Sequence, residues 1–95
     1  MTPDQIREMI AEGRDHVPAH LWPGLERYFV ERVEPGQFLV AMLRNDLRVA
    51  VGMADDVSLA ALPDLCKFLY NFAPARSHGS KDIVDAWLTS TMVPA

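Results

Sequence analysis

The fold is decided by the stretch Gln37-Phe38-Leu39-Val40-Ala41-Met42-Leu43, which Arg44-Asn45-Asp46 follows. A run of apolar residues this long suits either a buried strand or a buried helix. We favour a helix, because alanine, methionine and leucine are good helix formers. The pairs Phe38/Met42 and Leu39/Leu43 also have the i,i+4 spacing of helix neighbours. The run is apolar on nearly all sides, so it predicts the central, most buried helix, around residues 37–44.

The residues after this run carry the signals of a helix end and a new helix start. Asn45 tolerates the left-handed backbone conformation that often ends a helix, and Asp46 is a good cap for the next one. A short helix is therefore predicted over 47–53. Its inward-facing residues are expected to be Leu47, Ala50 and Val51.

A longer helical element begins at Asp55-Asp56 by the same capping logic. Pro63 lies inside it and predicts either a kink or a split into two helices, because proline lacks an N–H and clashes one turn back. The expected buried stripe of this element is Leu59, Leu62, Leu65, Cys66, Leu69 and Tyr70.

The two ends of the chain also show helix signals. Thr2, with Gln5 three residues later, forms a predicted capping box for a first helix that Gly13 stops. Ser80 is the predicted cap of a last helix with Ile83, Val84 and Trp87 inward. The expected fold is all-α, a compact bundle of five to six short helices. Residues 1–95 form one domain, with a loosely docked peripheral helix at 1–13, a core at 14–88 and a frayed tail at 89–95.

Composition excludes several classes of function. The 95 residues are 49% apolar and 23% charged, which is typical of a folded domain. The net charge of −4 and the scattered arginines disfavour nucleic acid, which needs clustered basic residues. A single cysteine forms no intrachain disulfide or cysteine-based zinc cluster, and it fits a reducing cytoplasm. No signal peptide or membrane span is evident, so a cytoplasmic location is expected.

Three groups of reactive residue types are better explained by structure than by chemistry. His16 and His20 have metal-ligand spacing, but Pro18 between them disfavours a continuous helix. Cys66 lies among leucines and is expected to be a small buried apolar residue rather than a nucleophile. Ser77-His78-Gly79-Ser80 resembles a loop followed by a helix cap more than a hydrolase turn.

Spaced motifs carry a resemblance to a known group of proteins. They are PG-x-FL at 35–39, NDL at 45–47, AD at 54–55, FLYN-x-AP at 68–74 and GS at 79–80 with Trp87. In these motifs the chain resembles a group of small uncharacterised proteins from phages and proteobacterial prophages. The resemblance covers about residues 17–88. It implies an accessory protein of phage or prophage origin, in the cytoplasm of a bacterial host, that binds a host or phage protein and could inhibit a defence system.

These observations predict a small non-enzymatic, protein-binding module with no cofactor and no metal. A homodimer is also considered, because so small a core gains from self-association. Its interaction patch would include Trp22. An exposed tryptophan at this position would be a good interface anchor. The predicted patch is Trp22, Arg44, Asn45, Asp46, Arg48, Asp55, Asn71 and His78.

Two alternatives remain open. One is a ligand-binding or enzymatic domain in which polar residues at helix ends, such as Asn45, Asp46 and Asp55, form one site. The other is a DNA-binding regulator in which the turn at Asn45-Asp46 joins the two helices of a helix-turn-helix, although Arg48 is the only basic residue of the second helix.

Overall fold

The computed structural model describes residues 1–89, and within them the chain forms seven α-helices and no strand. The helices are α1 (Pro3–Ala11), α2 (Trp22–Glu26), α3 (Gln37–Leu43), α4 (Leu47–Met53), α5 (Asp56–Ala60), α6 (Leu62–Phe72) and α7 (Lys81–Thr89). A π-helical segment, Arg27–Glu31, continues α2, and 3₁₀ turns lie at Arg14–His16 and Ala75–Ser77. The all-α class is confirmed, with seven helices rather than five to six. The predicted frayed tail lies, from residue 90 on, outside the described residues.

The predicted central helix is confirmed as α3. All residues from Leu39 to Leu43 are buried, and α3 packs against both α4 and α7. The carboxyl end of α3 is bound by a residue distant in sequence: the backbone N–H of Gly79 donates to the Leu43 carbonyl at 2.7 Å. This bond satisfies one of the carbonyls that a helix end leaves without a partner.

The first helix is well docked, so the prediction of a loosely docked peripheral helix is wrong. The capping box forms as predicted, with the Gln5 backbone N–H donating to Thr2 Oγ1 at 3.2 Å and the Thr2 N–H to Gln5 Oε1 at 2.8 Å. Ile6 and Ile10, one turn apart, are fully buried, and α1 packs on the π-helical segment. Two buried isoleucines outweigh the polar character of the rest of this helix.

Gly13 follows α1 and allows a close approach to α6. A β-carbon built on Gly13 would lie 2.4 Å from the Phe72 ring and 2.8 Å from the Phe68 ring. Because that contact is too short for any side chain, only glycine lets the 3₁₀ turn at Arg14–His16 pack on α6. The residue that the sequence suggests as a helix stop is therefore also a packing residue.

Tyr28, in the π-helical segment, joins the two halves of the chain. Its hydroxyl donates to the Ser77 carbonyl at 2.6 Å, and its own carbonyl accepts from Trp87 Nε1 at 3.0 Å. Burial raises the pKa of this phenol, against the opposing charges of Arg32 and Arg44, so it stays a protonated donor. Tyr28 is fully buried, and all of these bonds are shielded from water.

Pro63 splits its element rather than kinking it. Helix α5 ends at Ala60 and α6 begins at Leu62, so Pro63 lies in the first turn of α6, where no N–H bond is lost. The buried face of α6 is formed by Leu65, Phe68 and Leu69. The predicted stripe is thus partly wrong, because Leu59, Cys66 and Tyr70 are exposed.

The last helix begins as predicted. The Ile83 backbone N–H donates to Ser80 Oγ at 3.2 Å. Val84 and Trp87 are buried as expected, whereas Ile83 is exposed and its predicted inward position is wrong. None of the helices between residues 1 and 89 is both long and apolar enough to cross a membrane.

Replacing Tyr28 by phenylalanine tests the bond that joins the two halves. The buried Ser77 carbonyl would lose its donor, so Tyr28→Phe should lower the free energy of unfolding by about 1–3 kcal/mol. The matched control is Tyr70→Phe, because Tyr70 is 87% exposed, and it should change stability by less than about 0.5 kcal/mol. Urea denaturation followed by circular dichroism measures both. Equal effects of the two variants would show that the Tyr28 bond does not hold the fold.

Candidate functional site

The polar residues between α3 and α4 act as helix-end residues. Asn45 has the predicted left-handed conformation, with φ of 62°. Asp46 caps α4, since its Oδ1 accepts from the Val49 backbone N–H at 3.4 Å. Arg44 is half-buried, and its Nη2 lies 3.6 Å from Asp85 Oδ1 on α7. The capping prediction at this junction is confirmed.

Asp55 caps α5 and contacts a residue that is distant in sequence. Its Oδ1 accepts from the Ser58 backbone N–H at 2.7 Å, and its Oδ2 lies 3.5 Å from His20 Nε2. The Ser58 hydrogen bonds, the backbone bond first, hold the pKa of this carboxyl below its ordinary value. The sequence did not reveal this cluster, because His20 and Ser58 are 38 positions apart.

The Ser58–His20–Asp55 cluster has the residue types of a hydrolase triad but not the geometry. Ser58 Oγ lies 3.4 Å from His20 Nε2, the same nitrogen that Asp55 approaches. A triad needs the acid on one ring nitrogen and the nucleophile on the other. Ser58 is also only 2% exposed, so a substrate would not reach it. The cluster ties α5 to the connector before α2.

The two early histidines lie in different surroundings. The His16 ring stacks on Phe72 with 5.5 Å between centroids, whereas His20 meets Asp55. No group of three histidine, cysteine or acidic residues among residues 1–89 is placed to hold a metal ion.

The burial of Trp22 and the exposure of Cys66 are both the reverse of what the sequence predicts. Trp22 is buried, with its ring edge-on to Phe68 at 5.9 Å and the Arg14 guanidinium above it at 5.3 Å. The prediction that it is an exposed anchor is wrong. Cys66 is exposed, so the prediction of a buried cysteine is wrong as well. Both errors have one cause: α6 buries Phe68 against Trp22, which turns Cys66 outward.

Most other members of the predicted patch form hydrogen bonds with their own separate partners. Asn71 is exposed and donates to the Lys67 carbonyl of its own helix at 3.0 Å. His78 is half-buried; burial lowers the pKa of its imidazole, against a hydrogen bond to the Leu69 backbone. Asp46 caps α4 and Asp55 caps α5. Within residues 1–89, no hydrogen bond or ion pair joins Asp46, Asp55, Asn71 or His78 to another of these four.

A different surface emerges on α4. Its large apolar side chains are exposed, from Leu47 at 66% and Met53 at 53% to Val49 and Val51 above 40%. Ala50 is the only buried residue of this helix. The predicted inward positions of Leu47 and Val51 are wrong, whereas that of Ala50 is confirmed. Apolar surface of this kind on a short helix is typical of an interaction site.

Helix α4 borders a depression on each side. The α4–α6 groove has a volume of about 40 Å³ and is lined by Ala41, Met42, Asn45, Asp46, Leu47, Ala50, Leu62 and Cys66. It is far smaller than a metabolite site, which takes roughly 300–1,000 Å³. On the other side a cleft of about 420 Å³ is lined by Glu34, Pro35, Gly36, Gln37, Val40, Arg44 and Val49. The groove suits one inserted side chain of a protein partner.

The Asp55 cap should appear in the pH dependence of stability. The pKa of this carboxyl is lower in the folded chain than its ordinary 3.8. Its charge therefore stabilises the fold above that value, and the contribution is lost as the pH falls through the folded pKa. Asp55→Asn keeps a capping oxygen without the charge. The wild type should be more stable than this variant at neutral pH, and the difference should vanish in acid.

Urea midpoints across the acid range measure this difference. Asp64→Asn, an exposed carboxyl in the first turn of α6, controls for the change in net charge. A stability difference between wild type and Asp55→Asn that does not change with pH would contradict the role of the charge in the cap.

No protein-family model, curated protein or solved structure matches the chain. The resemblance to phage and prophage proteins therefore stays a prediction from the motifs.

Proposed function

We propose that the chain is a non-enzymatic protein-binding module, and that its binding surface is the exposed apolar side of α4 together with the α4–α6 groove. The single observation that carries the proposal is the exposure of Leu47 beside that groove. A leucine two-thirds exposed gains roughly 1–2 kcal/mol when a partner covers it.

Helix α6 contributes Leu62 and Cys66 to the groove. Leu62, Cys66 and Tyr70 follow one another at i,i+4 spacing, so they form one ridge of that helix. Cys66 and Tyr70 are exposed. A partner helix with an apolar face could lay one side chain between Leu47 and Cys66 and rest on Tyr70, which is the groove mode of peptide recognition. Tyrosine is also a common anchor at such interfaces.

The motif resemblance supplies the kind of partner. It supports a host or phage protein met in the cytoplasm of a bacterial host, with inhibition of a defence protein as the consequence of binding. Two of the resembling motifs contribute a residue to this surface, since NDL ends at Leu47 and FLYN contains Tyr70.

The two alternatives have less support. One oxygen of each of the Asp46 and Asp55 carboxylates accepts a helix-cap hydrogen bond, so capping accounts for residues on which an enzymatic or ligand site was expected to depend. For DNA recognition α4 would have to enter a groove of the duplex. It offers apolar side chains with Arg48, and Asp46, Asp55 and Asp56 near its ends would repel phosphates.

Leu47→Glu tests the proposal against a matched control. The variant puts a charge where the partner inserts, so it should weaken binding about tenfold or more. Val33→Glu changes an equally apolar, exposed residue before α3 and should bind as the wild type does. Partners captured from a bacterial host lysate are purified, and their affinities for the three chains are measured by calorimetry.

Cys66 gives an independent readout, because it is the single cysteine of the chain. The purified partner should slow alkylation of Cys66 by iodoacetamide several-fold in the wild type and leave the rate unchanged for Leu47→Glu. A partner that binds Leu47→Glu as tightly as wild type, or leaves Cys66 open to alkylation, would refute this surface.

A further inference from the structure

A cavity of about 270 Å³ lies between α1, α7 and the 3₁₀ turn that precedes α7. Its wall contains apolar side chains, among them Ile6, Met9 and Trp87, together with the arginines Arg32 and Arg76. None of the described residues that line it is acidic. The cavity is several times larger than the α4–α6 groove and shares no residue with it. Its volume is close to the lower end of the range for small-molecule sites, roughly 300–1,000 Å³.

Arg32 is held in the wall of this cavity by Trp87. Its Nη1 donates to the Trp87 carbonyl at 2.9 Å, and its guanidinium lies 3.4 Å from the centroid of the indole ring. The backbone of Arg32 is left-handed, with φ of 59°, a conformation that residues other than glycine adopt rarely. Burial lowers the pKa of this guanidinium, which means that its charge is partly removed from water. An anion in the cavity would offset the cost of burying that charge.

Arg76 supplies the second positive charge. It is exposed in the 3₁₀ turn, and among residues 1–89 its side chain forms no hydrogen bond or ion pair. Its planar guanidinium therefore offers a fork of N–H donors, which matches the two oxygens of a carboxylate. A phosphate would need donors for a third oxygen, whereas Arg32 already uses Nη1 for the Trp87 carbonyl. The two arginines therefore suit a carboxylate better than a phosphate.

The remainder of the wall suits an apolar body. Ile6 and Trp87 are buried core residues with a side at the cavity, and Met9 is half-buried. The unbranched thioether chain of Met9 adapts to different shapes. A small anion without an apolar part would leave this wall uncovered, and a hydrocarbon would add no negative charge beside the two guanidiniums, which repel each other. The lining therefore selects a ligand that has both parts.

We infer that this cavity binds a small carboxylate with an apolar body, such as a medium-chain alkanoate, with its carboxylate on Arg32 and Arg76 and its hydrocarbon against Met9 and Trp87. The inference goes beyond the proposed function and does not depend on it, because no residue of α4 lines the cavity. The chain would then carry two separate sites, one for a protein partner and one for a small molecule.

Titration calorimetry with octanoate tests the inference. Octanoate should bind the wild type saturably at one site, whereas acetate, which lacks the apolar body, and 1-octanol, which lacks the charge, should each bind at least about tenfold more weakly. Arg76→Gln should weaken octanoate binding about tenfold or more, because it removes the charged fork. The matched control is Arg27→Gln, a change at an exposed arginine outside the lining, and it should bind octanoate as the wild type does.

Ala75→Glu provides a second variant, since Ala75 is exposed and lines the cavity. An acid there should repel the carboxylate and weaken binding at least as much as Arg76→Gln does, and circular dichroism reports whether each variant is folded. A wild type that does not bind octanoate saturably would overturn the inference, as would 1-octanol that binds as tightly as octanoate or an Arg76→Gln variant that binds like Arg27→Gln. Leu47→Glu should bind octanoate as the wild type does, so the cavity and the α4–α6 groove can fail separately.

Discussion

The rest of the structure depends on the buried side chain of Tyr28. Its hydroxyl binds the Ser77 carbonyl 49 positions later, and its carbonyl receives the Trp87 indole 59 positions later. Arg32, one turn on, stacks its guanidinium 3.4 Å above the same indole and donates to the Trp87 carbonyl. Because the two Tyr28 hydrogen bonds are buried, breaking either one would leave a polar group without a partner away from water, and they therefore fix how Ser77 and Trp87 dock. The loop at 77–80 then lies where Gly79 can hold the end of α3.

This packing decides which helices are left with exposed apolar surface. Phe29 and Phe68 lie in contact at the centre, with Trp22 edge-on to Phe68, and the two isoleucines of α1 fill the space beside them. Helices α4 and α5 each contribute one buried residue, Ala50 and Ser58. The large apolar side chains of α4 are therefore not buried in the core. We interpret them as a surface that binds other proteins.

The starts and ends of helices could be predicted from the sequence. Which side of each helix is buried against the core could not. Caps at Thr2, Asp46 and Ser80 and the left-handed Asn45 depend on neighbours within three residues. The cap of the next helix was expected at Asp56, and the structure places it one residue earlier, at Asp55. The burial of Trp22 and the exposure of Cys66 depend instead on which side of α6 meets the core. On that helix a stripe through Leu62, Cys66 and Tyr70 is as regular in sequence as the true one through Leu65 and Phe68. The His20–Ser58 contact has no sequence signal at all.

The difference in packing between α3 and α4 is tested most directly by amide hydrogen exchange. Residues 39–43 of α3 are buried, whereas Ala50 is the buried residue of α4. Exchange over residues 47–53 should therefore be faster than over 39–43, because the more exposed helix opens at a lower free-energy cost. Exchange in α4 as slow as in α3 would contradict this difference in packing.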